Sequence, residues 1–110
     1  MKLPGGENAY VPSRKLTEYL LSETHPVGSS KALFLRSVGF NNANVRLLKQ
    51  ELAAIACSED VKECVPSSYG TKYVIEGVLT TPTGRVVLVR TIWIIEPTDD
   101  RPRFVTAYPI

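Results

Sequence analysis

The stretch Lys72-Tyr73-Val74-Ile75-Glu76-Gly77-Val78-Leu79-Thr80-Thr81-Pro82-Thr83-Gly84-Arg85-Val86-Val87-Leu88-Val89-Arg90-Thr91-Ile92-Trp93-Ile94-Ile95-Glu96 decides the fold. Its two flanks, 72–80 and 85–96, are rich in β-branched and aromatic residues, which suit a pleated, half-buried surface. Thr81-Pro82-Thr83-Gly84 between them is a hairpin signal. A connection this short brings the second strand back antiparallel to the first. In the second strand Leu88, Arg90, Ile92 and Ile94 alternate with Val87, Val89, Thr91, Trp93 and Ile95. The two sets therefore project from opposite faces of the sheet.

Working outward, 97–102 reads as a turn holding Asp99 and Asp100, and 103–108 as the last strand. A short strand is expected at about 61–65. Upstream of it the apolar period becomes helical. Val45, Leu48, Leu52, Ile55 and Ala56 trace a stripe over about 43–57, with Asn41 or Asn42 as cap. Arg46 and Lys49 fall on its other, solvated side. A second helix is expected at about 31–38, capped by Ser29 or Ser30 and ended by Gly39. A first helix starts at Pro12-Ser13, places Leu16, Tyr19 and Leu20 on one apolar face, and ends near Ser22. Ala9-Tyr10-Val11 can add a short edge strand after a turn-rich lead-in. Helices followed by strands make an α+β domain: about three N-terminal helices packed on a curved antiparallel sheet of about four strands. The chain is expected to be one domain over 1–110, with a helical half at about 12–57 and a sheet half at about 61–110.

Composition agrees. The 110 residues are 44% hydrophobic and 22% charged, with a net charge of +2. That is a globular profile, in which about 65% of the unfolded surface can be buried. The mild basicity is compatible with a polyanionic partner. Cys57 and Cys64 are too few for a disulfide scaffold and are expected to be buried or half-buried thiols. They suit a reducing cytoplasm, where the protein is expected to reside. Their spacing is not CxxC and the one histidine is far upstream, so no metal site is expected. The longest apolar run is broken by Arg90 and falls short of the roughly 20 residues of a membrane span. The start of the chain, with Pro4, Gly5, Gly6 and Glu7, does not read as a signal peptide. Gly5-Gly6 stands alone, so no nucleotide loop and no cofactor are expected.

Three constellations could carry chemistry. His25 precedes a helix start that also holds Ser29, Ser30 and Lys31. Such an end attracts anions through free N–H groups and the helix dipole. A cation in the first turn opposes that dipole, and a bound phosphate would account for Lys31. The simpler alternative has His25 packed on Pro26 and Lys31 exposed. Second, Thr106 and Tyr108 are two apart and share a face of the last strand, with Phe104 beside them. They could bind phosphate or donate a proton, or they could be ordinary strand formers. Third, Arg90 stands among aliphatics; it could pair with Glu76 on the neighbouring strand, snorkel, or contact substrate.

The segment His25-Pro26-Val27-Gly28-Ser29-Ser30-Lys31-Ala32 resembles the motif of an uncharacterised bacterial family. The family occurs as solo proteins and as C-terminal domains of polymorphic toxins. The resemblance continues through Gly39-Phe40, Tyr69-Gly70-Thr71, Thr91-Ile92-Trp93 and Thr106-Ala107-Tyr108-Pro109. More loosely, the chain resembles the ribonuclease A-like toxins of contact-dependent inhibition systems. Those toxins end in a Thr-Ala-Tyr-Pro type strand and carry a histidine and a basic residue near an early helix start. They belong to a wider group of barnase-, EndoU-, colicin- and RelE-like nucleases.

This likeness implies a metal-independent endoribonuclease, in which a ribose 2′-hydroxyl attacks the adjacent phosphate. By implication His25, Lys31, Thr106 and Tyr108 would be catalytic, and Ser29, Ser30 and Arg90 would bind substrate. Lys31 stands where those toxins have arginine, and lysine cannot make arginine's bidentate phosphate contact. RNA and a cognate antitoxin or immunity protein are the implied partners. The competing expectation is a non-catalytic partner-binding protein, an antitoxin, immunity or interaction module.

Overall fold

The computed structural model describes residues 1–26 and 29–110. Helices come first. α1 (Ser13–Lys15) runs straight into a π-helical turn, Leu16–Leu20. α2 spans Ser29–Ser37 and α3 spans Val45–Ser58. The strands follow as β1 (Val61–Ser67), β2 (Gly70–Thr80), β3 (Val86–Ile95) and β4 (Arg103–Pro109). They form one sheet in the order β1-β2-β3-β4, antiparallel throughout. The α+β expectation therefore holds. No helix among the described residues is long and apolar enough to cross a membrane.

The β2–β3 hairpin closes at the predicted turn. The Thr81 N–H and hydroxyl both donate to the Arg85 carbonyl, at 3.0 and 2.7 Å. One sheet face meets the helices, burying Tyr73, Ile75, Leu79, Val89, Trp93, Phe104 and Ala107. α3 presents its stripe of Leu48, Leu52, Ile55 and Ala56 to that face. Gly77 permits the contact, because a Cβ there would lie 2.9 Å from Ile55 side-chain carbons. At the centre Trp93 and Phe104 meet edge to face, with centroids 5.4 Å apart. The Trp93 indole N–H donates to Thr91 Oγ1 at 2.8 Å, and that hydroxyl donates to the Ile75 carbonyl at 2.7 Å. Every polar atom of this buried chain is thereby satisfied.

Four local expectations are corrected. The first helix is not a regular α-helix ending near Ser22. Its i→i+5 bond, Leu21 N–H to the Leu16 carbonyl at 2.7 Å, widens the turn. Leu16, Leu20 and Leu21 then all enter the core while Tyr19 stays half-buried at its flank. Ala9-Tyr10-Val11 contributes one parallel bridge, Tyr10 to Arg103, in place of a strand. Phe104 does not share a face with Thr106. The pairing shifts from Ile92–Thr106 to Trp93–Phe104, a bulge at Val105 that turns Phe104 inward. Cys57 and Cys64 are both exposed free thiols. Cys57 lies off the α3 stripe, and all of β1 beyond Val61 is exposed.

Candidate functional site

The π turn matters because of where it leaves Tyr19. Its hydroxyl lies 3.0 Å from Thr106 Oγ1, a contact between residues 87 apart in sequence. It also accepts a 3.1 Å hydrogen bond from Lys31 Nζ. The edge-to-face partner of its ring is the His25 imidazole, with centroids 4.9 Å apart at 87°. Two ammonium groups approach the same ring, Lys15 at 5.1 Å and Lys31 at 5.4 Å from its centroid, within the range of cation–π attraction. Three of the four residues singled out as catalytic thus converge on one phenol. Sequence had placed that phenol in the apolar face of a helix, so the hub of the site was missed.

The electrostatics follow from this crowding. Burial pushes the Tyr19 pKa up. The hydrogen bonds with Thr106 and Lys31, together with the charges of Lys31 and Lys15, outweigh burial and hold it below the usual tyrosine value. Between Tyr19 and Thr106 either hydroxyl can be the donor. Two cations beside two hydroxyls and an imidazole form an environment that favours an anion.

The loop bearing His25 is tied at both ends. Ser29 N–H, at the start of α2, donates to the His25 carbonyl at 3.0 Å. Arg36, at the far end of α2, donates twice to the Leu21 carbonyl at 3.1 and 2.7 Å. It also pairs with Glu23 at 3.3 Å. Arg36 therefore positions the loop that carries the histidine. Nothing in the sequence marks it out: it is a basic residue in the last turn of a helix. Ser29 is half-buried and Ser30 exposed on the first turn of α2. Val27 and Gly28 of the histidine motif lie outside the described residues.

Tyr108 sits one step away. It lines a narrow apolar crevice together with Lys31, Leu20, Phe34, Leu35 and Ala107. On β3 its register partner is Arg90, whose guanidinium lies 6.0 Å from the Tyr108 ring centroid. Arg90 does not join the Tyr19 cluster. Its Nε and Nη2 donate to Glu76 Oε2 at 3.0 and 2.7 Å, the cross-strand pairing anticipated from sequence. Those bonds, first with Glu76 and then with Tyr108, raise its pKa and keep it charged. Among the described residues no group of three or more His, Cys, Asp or Glu could hold a metal ion.

A family model described as a domain of unknown function (DUF6883) matches residues 2–110, and the chain belongs to that family. No curated protein matches it. Among solved structures it is similar to a chain of the "Contact-dependent growth inhibition toxin - immunity protein complex from Klebsiella pneumoniae 342". The TM-score is 0.74 at 18% identity, over 96% of each chain. At that identity the likeness is one of fold.

Proposed function

We propose that this family member is a metal-independent endoribonuclease of bacterial toxin type, acting in the cytoplasm on RNA. The observation that carries the reading is the Tyr19 hydroxyl. It joins Lys31 on α2 to Thr106 on β4 while its ring holds the imidazole of His25. Fold likeness to a chain of a toxin–immunity complex supports the same reading. It also supports a protein partner, since either role in such a complex brings one.

The chemistry is transesterification. His25 takes the proton of a ribose 2′-hydroxyl, imidazole being the side chain that exchanges protons near neutral pH. The 2′-oxygen bonds to the adjacent phosphorus and the bond to the 5′-oxygen breaks, leaving a 2′,3′-cyclic phosphate. The departing 5′-oxygen receives a proton from a hydroxyl of the cluster, Tyr19 or Tyr108. Lys31, with Lys15 behind it, offsets charge growing on the phosphoryl oxygens. Thr106 holds one of those oxygens, and Ser29 and Ser30 offer hydroxyls on the α2 side. Arg90 would reach a phosphate only by leaving Glu76, which makes it an outer contact at most.

The test is incubation of total RNA with purified wild type and His25→Ala, each with a chelator. Wild type is expected to cleave at an undiminished rate, and the variant about 10²- to 10⁴-fold more slowly. Equal cleavage by the two proteins would remove the reading.

A second reading, a non-catalytic partner-binding module, has its own observation. Val78 and Leu88, paired across β2 and β3, and Val65 on β1 are exposed on the outer side of the sheet. Binding of a partner by a protein whose His25→Ala variant behaves as wild type would favour it.

A further inference from the structure

A second concavity lies beyond the Tyr19 cluster. It is formed where the start of α1 meets the first turns of α3, and it is lined by Ser13, Leu16, Val45, Arg46 and Lys49. Its volume is about 250 Å³. At roughly 30 Å³ per water, that is room for several waters, or for a phosphate with part of its sugar. Lys49 Nζ donates to Ser13 Oγ at 3.1 Å, so one cation and one hydroxyl are already held together at the rim. Arg46 stands beside them, exposed.

Carboxylates answer only some of the cations. Arg14, Arg36, Arg90 and Arg103 each have a glutamate partner, and Lys2 pairs with Asp60. Among the described residues no carboxylate pairs with Lys62, Lys72, Arg85 or Arg101 on the sheet and its turns, nor with the four helical cations Lys15, Lys31, Arg46 and Lys49. These four cations are not scattered. Lys31 and Lys15 flank the Tyr19 ring, Lys15 is two residues from Ser13, and Ser13 is bonded to Lys49. One pair stands at the seam and the other at the concavity, at the two ends of the same helical segment. From Tyr19 back to Ser13 is six residues, roughly 9 Å of helix.

We infer that the Ser13–Arg46–Lys49 concavity is a second phosphate subsite, which holds the backbone of a single-stranded RNA away from the scissile phosphate. The inference rests on the ribonuclease reading for its ligand but not for its geometry. Arg46 grips a phosphate through its fork, and Lys49 turns from Ser13 to a phosphate oxygen while the hydroxyl supplies a further hydrogen bond. Leu16 and Val45 give the sugar an apolar floor. The subsite reads backbone and not bases, so it adds affinity without sequence preference.

The test uses a single-stranded oligoribonucleotide of about 12 residues with 2′-O-methyl riboses, which the 2′-hydroxyl mechanism cannot cleave. Its binding to full-length wild type, to Arg46→Gln/Lys49→Gln and to the control Lys62→Gln/Lys72→Gln is followed by fluorescence anisotropy across a salt series. The control removes two exposed lysines from β1 and β2. The expected result is about tenfold weaker binding for the first variant, with a salt slope smaller by about 0.7, for the one phosphate no longer neutralised. The control is expected to stay within about twofold of wild type.

Equal losses in the two double variants would mean that net charge alone is at work, and would overturn the subsite. Unchanged RNA binding by Arg46→Gln/Lys49→Gln would overturn it as well, even where that variant loses a partner protein. Wild type that binds the oligonucleotide but does not cleave total RNA removes the enzyme and leaves the subsite. Wild type that cleaves, with the Arg46/Lys49 variant binding normally, does the reverse. Wild type that binds no RNA removes both.

Discussion

The β2–β3 hairpin and the seam around Tyr19 are built on opposite terms. In the hairpin, charge meets charge: Arg90 is answered by Glu76 directly across the pair. Buried polar groups are likewise answered, Trp93 by Thr91 and Thr91 by the Ile75 carbonyl. At the seam Lys15 and Lys31 converge on a phenol, and neither has a carboxylate partner among the described residues. In the first region the buried polar groups and the central charge pair are satisfied within the chain. The second gathers two ammonium groups around one ring with no carboxylate among them. Substitutions in the two regions should therefore move different observables.

The largest effect belongs to the hairpin. Trp93→Ala removes a fully buried indole from the core and strands the Thr91 hydroxyl's acceptor site. It should lower unfolding free energy by about 3–5 kcal/mol, measured by urea titration. A loss under about 1 kcal/mol would mean the hairpin is not the stabilising region. The seam supplies the next effect. Lys31→Met keeps the stem that lines the crevice and removes the ammonium. It should cut RNA cleavage about 10²-fold, or about 2.7 kcal/mol, while moving stability by no more than about 0.5 kcal/mol. If activity and stability fell together, the contrast between the regions would be lost.

The smallest effect sharpens the contrast inside the seam. The cations and hydrogen bonds on Tyr19 favour its anion, so its folded pKa lies below the ordinary tyrosine value. One tyrosine should therefore ionise ahead of the others as pH rises, seen by ultraviolet absorbance. Tyr19→Phe should delete that early step, and Lys31→Met should shift it to higher pH. The sign for stability follows. Between the folded and unfolded pKa the unfolded chain holds more protons, so Tyr19 adds stability as pH rises through that window. An early step that survives in Tyr19→Phe would assign it to another tyrosine.

The same contrast explains what could be read from sequence. The hairpin was legible because alternation and Thr81-Pro82-Thr83-Gly84 fix its register, and register alone places Glu76 opposite Arg90. His25, Lys31 and Thr106 were legible as candidates from residue type and from the family resemblance. Tyr19 was not, because Leu16, Tyr19 and Leu20 have the spacing of an α-helical face. A single wide turn leaves no mark in that spacing, yet it turns one residue away from the core. The bulge at Val105 hid the inward face of Phe104 in the same way. Arg36 was invisible for another reason: its partner is the backbone carbonyl of Leu21, and carbonyls carry no sequence signature.

The 87-residue separation of Tyr19 from Thr106 has a consequence for biosynthesis. A chain emerges from the ribosome N-terminus first, so Tyr19, His25 and Lys31 are exposed long before β4 exists. The cluster can close only when β4 has docked along β3. On the ribonuclease reading, the site stays incomplete while β4 has yet to be made.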